Sequence, residues 1–366
     1  MKQLKLFAID LGNRRVKLKS EKATKVLPSY YVDIAEYGKR NVLELVKSDD
    51  VATTGDYKSG RDEGFTYVWG TGLDVSRKHV TDTLGLSKRY DSREFKVLAD
   101  LALAELARDF KESSGGILDV VVVTGVPTNE YDDEETFKFI KEALTGVRSA
   151  VIDGVTYVVR VHEVYILMQP VGTAVDVMVD EKGDVIDGND IEDGYVGIVD
   201  IGGGTIIIDA FEKMNLDTNN RVQLEEGSHK LFINIRNRVN DNKDGHRITE
   251  HEVERMVRDG HEDSTYYWSP NGRDNLNLTD IVKQERERYT RKVIQSVRGT
   301  FKSMSRMRKI YVTGGTANLL NQNEFKTAIP IAEFVKDSET ANVRGYYKYG
   351  LLNEVNVVDE CDTIKN

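Results

Sequence analysis

Residues 195–209 read YVGIVDIGGGTIIID: an apolar run ending at Asp200, three glycines with Thr205, then three isoleucines before Asp209. A short apolar run bounded by glycines is the pattern of a buried strand, and the second run predicts a strand folding back on the first. Glycines in such a turn let backbone amides approach a phosphate, because no Cβ intervenes and positive φ is open to them. The same device stands near the start of the chain. Leu4 to Ile9 is apolar-rich and runs into Asp10-Leu11-Gly12-Asn13, and Val16 to Lys19 can return antiparallel to it. Alone, Asp-x-Gly-Asn is what an ordinary tight turn uses. Its recurrence from Asp10 to Asp200, 190 positions later, is the strongest internal repeat in the chain, and that period suits a duplicated subdomain rather than a solenoid. A third glycine turn, Gly314-Gly315-Thr316, follows an apolar strand at Lys309 to Val312.

The chemistry of the repeat follows from its residue types. Two carboxylates facing each other across a triphosphate can hold hydrated Mg²⁺, a hard cation that keeps several waters and needs only one or two protein carboxylates. Two halves facing one ligand in a cleft are therefore expected, and 366 residues are enough for two sizeable subdomains.

Working outward, Arg93 to Phe110 reads as a helix with Ser92 as N-cap, followed by a continuous apolar strand at Asp119 to Thr124 and a second helix at Asp132 to Leu144. This is α/β patterning. Residues Lys22 to Leu84, rich in Tyr, Gly and charge, predict a small accessory subdomain with one strand at Thr66 to Trp69, and GDYKSGRDEG (Gly55 to Gly64) reads as a mobile surface loop. Further helices are expected at Ser228 to Val239, Thr249 to Arg258, Leu278 to Met304 and Glu339 to Leu352. Basic residues of the helix from Leu278 alternate with Glu285 and Glu287, which predicts a solvated face, and the basic cluster at Arg14, Arg15 and Lys19 reads the same way. Tyr266-Tyr267-Trp268 either anchors its own loop or meets another subunit.

Composition narrows the function classes. Hydrophobic residues make up 39% and charged residues 31%, with five prolines, as in a folded soluble protein. A net charge of −10 opposes a sequence-independent grip on DNA, which rests on cationic neutralisation of phosphates. The single cysteine, Cys361, allows no intrachain disulfide and no thiolate zinc cluster, and the six histidines show no paired zinc spacing. No stretch has the apolar length of a signal peptide or a membrane span, so a cytoplasmic, membrane-free protein is expected.

Five segments together resemble, in order, the elements of the actin, sugar kinase and heat-shock chaperone superfamily: FAIDLGNRRVK (Phe7 to Lys17), VVVTGVP (Val121 to Pro127), MQPVGTA (Met168 to Ala174), IVDIGGGT (Ile198 to Thr205) and YVTGGTANL (Tyr311 to Leu319). Within it the chain is most similar to plasmid-segregating bacterial actins of the ParM type, through DSETANVRGYYKYG (Asp337 to Gly350) and Gln169-Pro170-Val171-Gly172. The resemblance implies an actin-like α/β fold. Subdomain I would span 1–165, with its accessory part at about 20–90 and a closing C-terminal segment at 338–366, and subdomain II would span 166–337. It implies ATP, or GTP in its place, with Mg²⁺ held through water by Asp10 and Asp200. Gly12, Asn13, Lys17, Gly202, Gly203, Gly204 and Thr205 would bind the phosphates. Gly314, Gly315 and Thr316 would line the adenosine pocket, and Gln169 would orient the attacking water. Asn13 departs from the small hydroxyl residue that the family often has there. Glu254 and Arg258 read as surface charges, with purine contact as the other reading.

The function implied is a slow Mg-dependent ATPase that polymerises into filaments and moves a plasmid through a small DNA-binding adaptor, without binding DNA itself. Two other readings come from the same superfamily. A sugar-type kinase needs a catalytic aspartate, and the turn from Val121 to Glu130 holds none. A chaperone-like module needs a peptide-binding domain, for which the chain leaves no room after the closing helix.

Overall fold

The computed structural model describes residues 2–37, 54–73, 80–83, 86, 88–242, 247–260, 264–271 and 273–358; Cys361 lies outside them. Contacts divide the chain into two units, Met1–Asp187 with Thr340–Asn366, and Gly188–Glu339. The first unit takes in the helix Gln169–Met178, beyond the 165/166 boundary read from sequence, because that helix packs on Ala341–Leu352 of the same unit.

Each unit is organised around a buried three-strand arrangement. In the first, Lys5–Leu11 pairs antiparallel with Arg15–Lys19 on one side and parallel with Ile117–Val126 on the other. In the second, Tyr195–Ile201 pairs antiparallel with Ile206–Glu212 and parallel with Lys309–Thr313. The internal repeat is thus a repeat of strand topology, and the glycine turns are its hairpin loops. All seven residues of Tyr195–Ile201 are buried, as its unbroken apolar run requires.

In the first unit the helix Arg93–Ala107 covers the sheet with Phe95, Leu98, Ala102 and Leu106, and the Ser92 side chain accepts from the Phe95 amide. Such a cap is worth about 1 kcal/mol. Asp133 caps Glu134–Leu144 in the same manner, and in the second unit Thr249 and Glu252 form a reciprocal capping box at the head of Glu250–Asp259. The second core packs Phe232, Ile235, Val253, Val293 and Val297 from three helices against the buried face of its sheet.

Several expectations need correction. Of the stretch Gly55–Gly64, read as a surface loop, only Gly60–Gly64 forms a turn. Thr54–Ser59 is a strand between Tyr67–Gly70 and Gly146–Ile152, with Tyr57 and Ser59 buried. Tyr57 donates to Glu105 (2.8 Å) and Ser59 to Asp100 (2.6 Å), while the alternate residues Asp56 and Lys58 face outward. The alternation was present in the sequence but hidden by polar inward residues whose partners lie 48 and 41 positions away. For the same reason the accessory segment does not stand apart: its described strands extend the first unit's sheet, which is ten-stranded among the described residues. Arg14, expected on a solvated face, is buried (5% exposed). Glu285 is buried too, held by Arg238 (2.8 Å) and Arg288 (2.6 Å) rather than alternating on an open surface. Tyr266 and Trp268 are buried and anchor their loop, with Tyr267 exposed between them. Among the described residues no helix is long and apolar enough to cross a membrane.

Candidate functional site

Asp10 is the penultimate residue of a strand that is buried along almost its whole length, and antiparallel register sets it directly opposite Lys17. Residues so paired face the same side of a sheet; here Lys17 Nζ lies 3.0 Å from Asp10 Oδ2, with both side chains largely buried. The turn between them is held mainly by side chains. Ser29 Oγ donates to the Asn13 carbonyl (2.7 Å), the Ser29 amide donates to the Arg14 carbonyl (3.1 Å), and the Arg89 guanidinium donates to the Leu11 carbonyl. Arg89 is itself oriented by Thr83 Oγ1 (2.9 Å). Nearby, Tyr90 donates to Glu130 (2.5 Å); burial pushes its hydroxyl above the usual tyrosine range and Glu130 adds to that, so it remains a donor at neutral pH. Ser29 and Arg89 were not legible as site residues, since they carry no local motif and reach the turn only in the folded chain.

The second turn is held by main chain. The Gly202 amide closes the hairpin on the Thr205 carbonyl (2.9 Å). The carbonyls of Gly202, Gly203 and Gly204 accept from the amides of Ser228 (3.1 Å), His229 (2.8 Å) and Gly227 (2.9 Å) in turn. Among the described residues the amides of Gly203, Gly204 and Thr205 donate to no backbone carbonyl, and all three residues are half-buried. A row of such amides, with its carbonyls taken up from behind, is an anion-binding concavity. Asp200, 6% exposed, stands at its edge. Asp209, a further carboxylate on that hairpin, lies away from this chemistry: it is 1% exposed and paired with Arg221 (3.2 Å).

The third turn is fastened to the second. The Thr316 amide donates to the Ile201 carbonyl and its hydroxyl to the Gly202 carbonyl, both at 3.0 Å. Thr316 is therefore buried, with its hydroxyl committed to joining two turns. Gly314 has φ +89°, and a Cβ there would collide with Asp200 Oδ1 and lie 2.5 Å from the Ile201 carbonyl, so only glycine fits beside that carboxylate. Ser338 closes the turn from the other side: the Gly314 amide donates to its carbonyl (3.2 Å) and its hydroxyl donates to the Gly314 carbonyl (3.1 Å). Glu254 and Arg258, read as surface charges, are drawn inward: Glu254 is 4% exposed, and Arg258 bridges it (3.2 Å) to Glu339 (3.3 Å), whose carboxylate flanks Gly315. The structure thus gathers Gly202–Thr205, Asp200 and Gly314–Thr316 in the second unit, and Asp10, Gly12, Asn13 and Lys17 in the first.

Gln169 opens the helix Gln169–Met178 of the first unit and is half-buried. Met168 occupies the cap position without a side-chain bond, and among the described residues no hydrogen bond ties the Gln169 amide. Asp10 in the first unit and Asp200 in the second are each a hard oxygen donor near the end of a buried strand, the type of ligand that a hydrated Mg²⁺ takes.

The first half of the chain, residues 8–172, matches the family described as actin-like proteins, N-terminal domain, and residues 195–348 match the Alp7A C-terminal domain. No curated protein matches by sequence. Among solved structures, the chain is similar to the apo pSK41 ParM protein, with 25% identity, a TM-score of 0.71 and coverage of 97% of this chain and 99% of that one. It is also similar to the archaeal actin homologue Ta0583 in complex with ADP (16% identity, TM-score 0.72, 95% and 99% covered). A 15-stranded ParM filament from Clostridium botulinum matches at 16% identity and TM-score 0.71, over 95% of this chain and 99% of that one.

Proposed function

Because the chain belongs to the actin-like proteins of the ParM type and has their α/β fold, we propose that it is a nucleotide-dependent polymerising ATPase. The observation that carries this reading is the second turn, where three successive carbonyls each accept from behind and the amides of Gly203, Gly204 and Thr205 are left to donate to a phosphate chain. The first turn would contribute Gly12, Asn13 and the Lys17 ammonium. Lys17, paired with Asp10 in the structure, would balance charge on the phosphates when these compete for it. Asp10 and Asp200 would hold Mg²⁺ through water, and the ion would supply charge neutralisation at the phosphates. Gly314 and Gly315, with the Glu254–Arg258–Glu339 bridge beside them, would form the wall on the nucleoside side.

Gln169 would align the attacking water by hydrogen bonding. An amide has no useful basicity at neutral pH, so hydrolysis is expected to be slow, as suits a timer on filament lifetime. The ADP complex of one similar protein and the filament of another support nucleotide binding and self-association. A plasmid as cargo, reached through a small DNA-binding adaptor in the cytoplasm, is the finer part of the proposal; the net charge of −10 argues against direct DNA contact.

The test is sedimentation and light scattering with and without Mg-ATP or Mg-GTP, with phosphate release followed on the same samples. Nucleotide-dependent pelleting with slow phosphate release is expected. Monomers alone at high protein concentration, over a range of salt, would overturn the polymer.

A further inference from the structure

The second phosphate turn has a rear layer that no glycine motif announces. Gly227, Ser228 and His229 supply the three amides that occupy the turn's carbonyls, at 2.8–3.1 Å. The layers touch so closely that a Cβ on Gly227 would lie 2.5 Å from the Gly203 carbonyl oxygen and 2.6 Å from that of Gly202. Any shift of residues 226–229 is therefore passed to the turn, because neither the hydrogen bonds nor the van der Waals contacts have slack to absorb it.

Two side chains from the helix Thr279–Thr300 hold that rear layer. Tyr289 donates its hydroxyl to the Glu226 carbonyl at 2.8 Å, and Lys292 Nζ lies 2.6 Å from the Glu226 carboxylate. Their weights differ. The Lys292 side chain is half-exposed, and an ion pair at such a surface contributes little. Tyr289 is 7% exposed with its ring in the second core, so its bond is made where an unpaired carbonyl is costly. Burial, followed by the nearby Glu226 charge, raises the Tyr289 hydroxyl well above the tyrosine range, which keeps it a donor. At the other end of the segment the His229 ring meets Glu250 at 2.6 Å.

We propose that Tyr289 is a positioning residue for nucleotide binding: acting through Glu226–His229, it sets the amides of Gly203, Gly204 and Thr205 for the phosphate chain. This rests on the nucleotide-binding reading above. Among the described residues the Tyr289 hydroxyl bonds the Glu226 carbonyl rather than the turn; what it controls is the plane against which the turn is pressed.

The role separates phosphate affinity from nucleoside affinity, which a general loss of stability does not. Calorimetric titration of the full chain with Mg-ATP, Mg-ADP and adenosine should show Tyr289→Phe weakening both nucleotides by roughly threefold to tenfold, the scale of one hydrogen bond, with adenosine affinity unchanged. Lys292→Glu, a surface substitution that sets two carboxylates against each other, should lower the ATP-to-adenosine affinity ratio about twofold to threefold. Hydrogen exchange on the nucleotide-free protein reads the same link without ligand: the hydrogen-bonded amide of Gly202 and those of Gly227, Ser228 and His229 should exchange faster together in Tyr289→Phe. Acceleration confined to 226–229, or equal weakening of nucleotides and adenosine, overturns the inference. Absence of Mg-ATP binding by the wild type overturns the nucleotide reading as well, whereas tight wild-type binding with an unchanged ratio in both variants sinks this inference alone.

Discussion

Asp10 and Asp200 stand near the ends of strands with the same neighbours, one antiparallel and one parallel, yet the turns that follow them are supported differently. Behind the first turn stand the side chains of Ser29 and Arg89, drawn from the accessory segment, and Lys17 engages its carboxylate. Behind the second stand the amides of residues 227–229, joined by the Thr316 hydroxyl on the Gly202 carbonyl. A turn held by side chains can be weakened one substitution at a time. One held by main chain is insensitive to most substitutions but intolerant wherever a Cβ would intrude.

The comparison can be broken most sharply at Asp200. Asp200→Ala should leave the fold intact and lower phosphate release by roughly a hundredfold to a thousandfold, the scale of removing one preorganised charge partner; ordinary turnover with unchanged Mg²⁺ dependence would remove Asp200 from the site. Gly314→Ala should come next. Positive φ and the collision with Asp200 Oδ1 are expected to cost about 3 kcal/mol of stability and to weaken nucleotide binding roughly a hundredfold, read by thermal melting and titration. Native-like affinity in that variant would show that the third turn does not shape the site.

Gln169→Ala should slow phosphate release about tenfold while nucleotide affinity stays within a factor of two, with filaments that last longer. A parallel fall in melting temperature and affinity would assign Gln169 a structural part instead. The smallest effect is expected at Ser29→Ala, which removes one side-chain bond behind the first turn and keeps the Ser29 amide: about 1 kcal/mol of stability and a twofold to threefold loss of nucleotide affinity. A loss as large as that in Gly314→Ala would erase the distinction between the two turns.

Most of the secondary structure was legible from periodicity and caps. The helix after Ser92, the capping box at Thr249 and the fully buried strand at Tyr195–Ile201 each announce themselves within a few residues. Thr54–Ser59 did not, because its inward residues are Tyr57 and Ser59, and their partners Glu105 and Asp100 are distant in sequence. Glu285, Arg14 and Glu254 misled for the same reason: a charged side chain reads as solvated until its buried partner is known.

The sequence by itself determined the duplicated strand–turn–strand units, the three glycine turns and the carboxylates at their edges, because these depend on local chain geometry that glycine, aspartate and apolar runs impose directly. Only the tertiary structure decided what stands behind those turns. Ser29 and Arg89 at the first, Gly227 and Tyr289 at the second, and Ser338 at the third are separated in sequence from what they hold by 15 to 78 positions. A hydrogen bond needs a donor and an acceptor within about 3 Å in space, and no periodicity along the chain encodes that distance.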